Sequence, residues 1–299
     1  MIRVAVVDIG TNSTRLLVAD VTEGRKVLPV QRELATTRLG EGITTGRLRP
    51  EAVGRTVRVL QNYLDIARER KAALVLAAAT SAVRDAANRD DFLAASRRAG
   101  LTVEVLSGQQ EARLSYRGVL SGLPVEEASS VVMDVGGGST EFIWSRDGRV
   151  HFCSVDVGAV RITEGGYDRR WLAGRLAAPL RRVKAAAPRT LVGVGGTVTT
   201  LAAMDLGLAV YDPDRVHGHA VTAGRVNSLL DQLEKSDLEE RKRLPGLQPE
   251  RADIIPAGVR IVSQVLKQLA LPELKASEAD IMHGLALEAV ERKNVLTYQ

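Results

Sequence analysis

Cysteine, aromatic side chains and long apolar runs are scarce in this sequence of 299 residues. Cys153 is its only cysteine, so a disulfide scaffold is excluded and a reducing compartment or an inert buried thiol remains. Two Trp, five Tyr and three Phe leave no interleaving of aromatic and basic residues, and nucleic acid is not an expected partner. No apolar run approaches the roughly 18 residues that span a membrane. The longest, 72–79, suits a buried strand instead. The start of the chain shows no signal-peptide pattern, because Met1-Ile2-Arg3 runs directly into a strand-like stretch. The expected location is therefore the cytoplasm. Charge of one sign is also lacking: Lys and Arg total 41 against 36 Asp and Glu, a net +5, while 45% of residues are hydrophobic. Disorder needs the opposite composition. Within the basic set Arg outnumbers Lys 33 to eight. Arginine suits phosphate well, through its planar fork, but a compositional bias towards Arg would look the same.

What is present is an alternation of strand-like and helix-like segments, the mark of an α/β protein. Residues 2–8 and 14–21 read as strands around a Gly-Thr-Asn-Ser turn. Residues 50–70 read as a helix with Pro at its start and Val53, Val57, Leu60 and Leu64 on one face. Strands follow at 73–79 and 102–106, with helices at 88–99 and 109–121. Gly122-Leu123-Pro124 then breaks the pattern, and the theme restarts. Strands are expected at 130–134, 140–145, 150–157, 190–194 and 273–277, and Asp147-Gly148 marks a hairpin turn. Helices are expected near 170–187, 197–206, 223–235, 252–269 and 280–292.

The restart is the most informative feature. Val7-Asp8-Ile9-Gly10-Thr11-Asn12-Ser13-Thr14 aligns with Met133-Asp134-Val135-Gly136-Gly137-Gly138-Ser139-Thr140 at a constant offset of 126 residues. Two similar strand-turn-strand units imply two similar halves, 1–124 and 125–299, expected to face each other across a cleft.

A Gly-rich turn lets backbone N–H groups approach an anion, and Ser or Thr hydroxyls add donors. Either loop alone reads equally well as a tight hairpin; the matched pair favours a phosphate cradle. Asp8 and Asp134 precede the two turns, where a carboxylate suits a cation or a water better than a phosphate. Mg²⁺ takes one or two carboxylates together with phosphate oxygens. Glu141, on the outgoing strand, shares a face with Ser139 by alternation. A third turn, Gly193-Val194-Gly195-Gly196-Thr197, follows a strand and opens a helix, a further anion-binding context.

These residues resemble the exopolyphosphatase and guanosine-pentaphosphate phosphohydrolase family, of the actin and sugar-kinase superfold. The resemblance runs through Thr80-Ser81-Ala82-Val83-Arg84-Asp85-Ala86, Ser107-Gly108-Gln109-Gln110-Glu111-Ala112-Arg113-Leu114, Gly158-Ala159-Val160-Arg161 and Arg251-Ala252-Asp253-Ile254-Ile255, besides the three turns. It implies two actin-like (ribonuclease H-like) domains facing across a central cleft, and Mg²⁺-dependent hydrolysis of the terminal phosphate of inorganic polyphosphate. Glu111 becomes the catalytic base. Asp134 and Glu141 become the Mg²⁺ ligands, with Asp8 a third and weaker one. Arg84 becomes the phosphate-neutralising arginine, with an ordinary ion pair to Asp85 or Asp91 as its alternative. Asn12, Ser13, Gly137, Gly138, Ser139, Gly196 and Thr197 become phosphate binders, and Arg38 and Arg161 further channel residues. A homodimer is implied as well.

Departures from the family pattern are informative. Thr11 replaces a common Ser. Gln109 and Gln110 stand where many members carry another acid. Ile281-Met282-His283-Gly284-Leu285 lacks an arginine of the corresponding family segment. The chain also ends without the helical extension of long members, which points to short polyphosphates. Three other functions compete: hydrolysis of guanosine pentaphosphate, a kinase or ATPase of the same superfold, and a non-catalytic sensor of polyphosphate or of guanosine pentaphosphate or tetraphosphate. His217-Gly218-His219 reads as a loop feature and Cys153 as a small buried side chain.

Overall fold

The computed structural model describes residues 1–297, with side chains described as far as Arg292. Contacts divide the chain into two compact units. One comprises Met1–Gly122 together with the segment from Asp280 onward, and the other Leu123–Ala279.

The first unit holds a sheet of β1 (Ile2–Ile9), β2 (Thr14–Val21), β3 (Val27–Ala35), β4 (Leu74–Ala79) and β5 (Val103–Val105), in the order β3-β2-β1-β4-β5. Strand β1 pairs antiparallel with β2 and parallel with β4. Its apolar residues alternate between two cores, as the period of two in a strand dictates. Ala5, Val7 and Ile9 pack with Leu60, Tyr63 and Phe92 of the helices Pro50–Glu69 and Arg89–Arg98. Val4 and Val6 pack with Leu114 of the helix Gly108–Gly122 and with Leu285, Ala286 and Ala289 of the helix Ile281–Thr297. A strand covered on both faces reads as a continuous apolar run, which is how 2–8 reads.

The second unit repeats this plan. Its strands are β6 (Ser130–Val135), β7 (Thr140–Arg146), β8 (Arg149–Val155), β9 (Thr190–Val194), β10 (Ala220–Thr222) and β11 (Glu273–Ala276). Their order, β10-β11-β9-β6-β7-β8, matches that of the first sheet with one extra edge strand. Strands β6, β7 and β8 form an antiparallel meander like β1, β2 and β3, and β9 runs parallel to β6 as β4 does to β1. Asp147 and Gly148 both take positive φ, 53° and 69°, the geometry of a tight two-residue hairpin. Among the described residues no helix is long and apolar enough to cross a membrane.

The expected division at residue 124 differs from the units found at the C-terminus. The helix beginning at Ile281 belongs with the first unit. The physical reason is its packing against the helix Gly108–Gly122, where two glycines let the backbones approach. A Cβ at Gly118 would overlap the carbonyl of Asp280, and one at Gly284 would overlap that of Leu114. Changing Gly118 to Ala is expected to lower the denaturant midpoint, at a cost of about 1–3 kcal/mol. An unchanged midpoint would contradict this account of the helix pair.

Candidate active site

In the first unit the turn between β1 and β2 closes through Gly10 N–H donating to Ser13 O at 3.0 Å. Thr11, Asn12 and Ser13 are buried. The Thr11 hydroxyl lies 3.0 Å from that of Ser81, which ties the loop to the short helix Ser81–Arg84. Asn12 Nδ2 donates to Ser13 Oγ at 3.2 Å.

Arg84 ends that short helix, after β4. One of its guanidinium nitrogens donates to Glu111 Oε2 at 2.9 Å and to Leu106 O at 3.2 Å, and Nε lies 3.4 Å from Asp85 Oδ1. Of the two alternative ion pairs, to Asp85 or to Asp91, the one to Asp85 is present, and the shorter one to Glu111 accompanies it. Glu111 is buried, at 8% exposure. It sits in the first turn of its helix, whose start Ser107 and Gln110 cap reciprocally. Ser107 N–H donates to Gln110 Oε1 at 2.9 Å, and Gln110 N–H donates to Ser107 Oγ at 3.3 Å. This is a capping box with Gln in the acidic position. Gln110 thus fixes the helix start beside Glu111.

Asp8 departs from its expected role as a third metal ligand. Arg15, directly opposite in the β1–β2 register, donates to Asp8 Oδ2 at 2.7 and 3.0 Å and to Asp280 Oδ2 at 2.5 Å. Burial raises the Asp8 carboxyl above the ordinary range, and Arg15 opposes it. Burial works against the Arg15 charge too, but Asp280 and Asp8 outweigh it and raise the guanidinium further. The cation that Asp8 holds is an arginine.

The second unit repeats the turn: Gly136 N–H donates to Ser139 O at 3.0 Å. Here the residue opposite the aspartate is an acid, because Asp134 pairs with Glu141 in the β6–β7 register. Position 15 is Arg and position 141, 126 residues later, is Glu. Directly opposed residues share a face of the sheet, and two like charges there are unfavourable without a cation. A pair of carboxylates suits Mg²⁺, which completes its shell with water and substrate oxygens. Glu141 Oε1 accepts the Ser154 hydroxyl at 2.6 Å, which orients the carboxylate. Among the described residues no group of three or more His, Cys, Asp or Glu side chains could hold a metal.

The Gly195 turn closes on the same place. A Cβ on Gly195 would lie 2.9 Å from Asp134 Oδ1, and one on Gly196 would overlap the Arg251 guanidinium. Thr197 is buried at the start of the helix Gly196–Asp205. The unit therefore brings Asp134, Glu141, Gly196 and Thr197 together with the turn of Gly137, Gly138 and Ser139. Arg251, 8% exposed, joins them although the sequence reading gave it no role. Its signal was the motif it opens, combined with a glycine too small to shield it. Arg161 Nε donates to Gly138 O at 2.8 Å.

The remaining residues behave as structural features. Burial pushes the Cys153 thiol up to about 11, so it stays protonated near neutral pH. His217 Nδ1 accepts the Glu278 N–H at 3.1 Å, whereas His219 Nε2 lies 2.7 Å from Asp205 Oδ2.

Two sheets of one strand order, each opening on the same glycine turn, define a duplicated α/β protein of the two-domain actin-like class. The sequence profile of the Ppx/GppA phosphatase family matches residues 17–293, and the chain belongs to that family. It is accordingly an enzyme of the phosphoanhydride hydrolase kind. It is 37% identical to "Exopolyphosphatase 2" of Mycobacterium tuberculosis, over 95% of this chain and 98% of that protein. The crystal structure of the Aquifex aeolicus Ppx/GppA family member superposes with a TM-score of 0.80 at 34% identity, covering 98% of this chain and 99% of the other. An exopolyphosphatase from Cytophaga hutchinsonii gives a TM-score of 0.86 at 27% identity, over 96% and 98% of the two chains.

Proposed function

We propose that this chain is a cytoplasmic exopolyphosphatase that releases the terminal phosphate of inorganic polyphosphate, short chains included. The observation carrying this reading is the setting of Glu111, a buried carboxylate fixed by Arg84 in the first turn of a capped helix. A held, oriented carboxylate is what a general base requires. Glu111 takes a proton from water as the water oxygen bonds to the terminal phosphorus. The bond from that phosphorus to the bridging oxygen breaks, and the shortened chain leaves with the bridging oxygen. Arg84 keeps the base in place and offers positive charge to the phosphoryl oxygens. Asn12, Ser13, Gly137, Gly138, Ser139, Gly196 and Thr197 supply backbone N–H and hydroxyl donors to the phosphates. Asp134 and Glu141 would hold Mg²⁺, which neutralises charge on phosphoryl oxygens when bound.

Changing Asp134 to Asn is expected to raise the Mg²⁺ concentration for half-maximal phosphate release by at least about tenfold, in line with the loss of one of two carboxylate ligands. Magnesium binding by calorimetry should weaken in parallel. An unaltered Mg²⁺ requirement would remove Asp134 from the site. The substrate assignment is tested by phosphate release from polyphosphates of graded length, guanosine pentaphosphate and ATP. Polyphosphate is expected to be preferred. Faster release from guanosine pentaphosphate would move the assignment to the nucleotide, and polyphosphate binding without any release would leave a sensor. The same reading includes a homodimer, which sedimentation velocity would distinguish from a monomer.

A further inference from the structure

One helix of the second unit concentrates positive charge without acids to balance it. Helix Arg169–Lys184 carries Arg169, Arg170, Arg175, Arg181, Arg182 and Lys184, and no Asp or Glu. Arginines elsewhere are commonly paired with acids, as Arg3 is with Asp20, Arg117 with Glu291 and Arg260 with Glu234. On this helix Arg169 has such a partner, again Glu234. Among the described residues no ion pair involves Arg170, Arg175, Arg181 or Arg182, and all four are exposed.

Two of these arginines are held in place without being neutralised. The sequence has two tryptophans, and each lies under an arginine of this helix. The Arg175 guanidinium stands 5.8 Å from the centre of the Trp171 ring, and that of Arg182 5.8 Å from the centre of Trp144. An aromatic face orients a guanidinium and leaves its charge in place, whereas a carboxylate would cancel it. Arg175 and Arg182 are seven positions apart, so they share one side of the helix. Arg170 and Arg175 also border an open cleft with Asp168, Trp171 and Gly174. The Asp168 carboxylate is engaged there in capping the helix, where it accepts the Trp171 N–H at 2.7 Å.

The helix starts close to the second glycine turn and runs away from it. The short helix before it, Ala159–Gly165, is seated on that turn. Ala159 N–H donates to Gly136 O and Val160 N–H to Gly137 O, at 3.0 and 2.9 Å. Tyr167 N–H then donates back to Ile162 O at 3.2 Å, which ties the start of helix Arg169–Lys184 to the same place. At 1.5 Å per residue, Arg181 stands roughly 16 Å beyond Arg170 along the axis. There Arg182 meets Trp144, well along β7 from Thr140, where that strand leaves the turn. The exposed cations thus form a row leading outward from the turn within one unit.

We infer that the exposed arginines of helix Arg169–Lys184 bind the distal part of a long polyphosphate chain, beyond the phosphates held at the second glycine turn. The inference rests on the polyphosphatase reading and adds to it a second binding surface for the same polyanion. Charge complementarity carries it. Polyphosphate bears negative charge along its whole length and has no ring to recognise, so a row of uncancelled guanidinium groups matches it. Nucleic acid fits less well, because single-stranded bases need free aromatic faces on which to stack. Here Tyr167 stacks on Trp171 at 4.0 Å and His151 on Trp144 at 5.7 Å, with an arginine over each tryptophan as well. A short chain ends before it reaches the row, so the contribution depends on chain length.

The test compares two double variants, Arg170→Gln with Arg181→Gln and Arg175→Gln with Arg182→Gln, against the wild-type protein. Thermal midpoint, steady-state phosphate release and calorimetric binding are measured with long-chain polyphosphate and with tripolyphosphate. For the long chain, KM and Kd should rise about tenfold and depend less steeply on salt, while kcat stays within about twofold. For tripolyphosphate KM should stay within about twofold. Lys at the same positions should restore most of the long-chain affinity, because the contact is electrostatic. The first variant leaves both tryptophan contacts intact, so its midpoint should match wild type even if the second variant is destabilised. Unchanged long-chain KM and Kd would overturn the inference, as would an equal rise for tripolyphosphate. Single-stranded RNA that binds more tightly than polyphosphate, and loses that affinity in both variants, would also overturn it by giving the surface to nucleic acid. Wild-type protein that releases no phosphate from either chain would overturn the proposed function instead, and the binding arm would still decide the role of the helix.

Discussion

Changing Glu111 to Gln is expected to lower phosphate release from polyphosphate by about three orders of magnitude, within the range lost with a general base. Gln keeps the size of the side chain and an oxygen that can accept from Arg84, so the helix and its cap should survive. Polyphosphate binding and the thermal midpoint are therefore expected to stay near wild type while kcat collapses. Measuring all three separates catalysis from folding. Release at the wild-type rate would exclude Glu111 as the base.

Changing Arg15 to Met is expected to produce the largest loss of stability. Asp8 and Asp280 are 6% and 4% exposed, and removal of their shared cation leaves two buried like charges. The cost is about 3 kcal/mol, at the lower end for breaking a buried pair, because the Arg15 side chain is itself 26% exposed. The pH dependence has a definite sign. Without Arg15, burial and the neighbouring Asp280 charge hold the Asp8 carboxyl above its unfolded value, so the folded state binds more protons. Stability is then greatest at acidic pH and falls as pH rises through the raised value. Urea midpoints at pH 5 and pH 8 would show the variant losing relatively more at pH 8, and adding Asp8→Asn and Asp280→Asn should restore much of the loss. A variant as stable as wild type at pH 8 would contradict this account.

The repeat was legible in the sequence because it is local. Asp8 and Asp134 each precede a turn whose residues lie adjacent in the chain, and the 126-residue offset follows both partner strands into register. Strands β1, β2, β6 and β7 were likewise readable from apolar runs ending at glycine turns. Strand β3 was not, since Val27–Ala35 mixes Pro29, Gln31, Arg32 and Glu33 with apolar residues. As an edge strand it has Leu28, Val30 and Leu34 substantially exposed. Pro at an edge removes the cue that a central strand gives.

What stayed hidden in the site depends on pairings far apart in the chain. Arg15 meets Asp280, 265 positions away, and that partner converts Asp8 from a metal candidate into half of an ion pair. The return of the C-terminal helix to the first unit depends on the close contacts at Gly118 and Gly284, and nothing in either glycine's neighbourhood names its partner. Arg251 beside Gly196 is hidden for the same reason. Gln110, read as a lost acid, proved to be a helix cap because its role lies three residues back, at Ser107.

Hydrolysis of long and short polyphosphate in water labelled with heavy oxygen tests the central claim most directly. Attack by a Glu111-activated water on the terminal phosphorus predicts one water-derived oxygen in every released phosphate and none in the shortened chain, with label release suppressed in Glu111→Gln. Label at the end of the remaining chain, or phosphate freed without label, would contradict it.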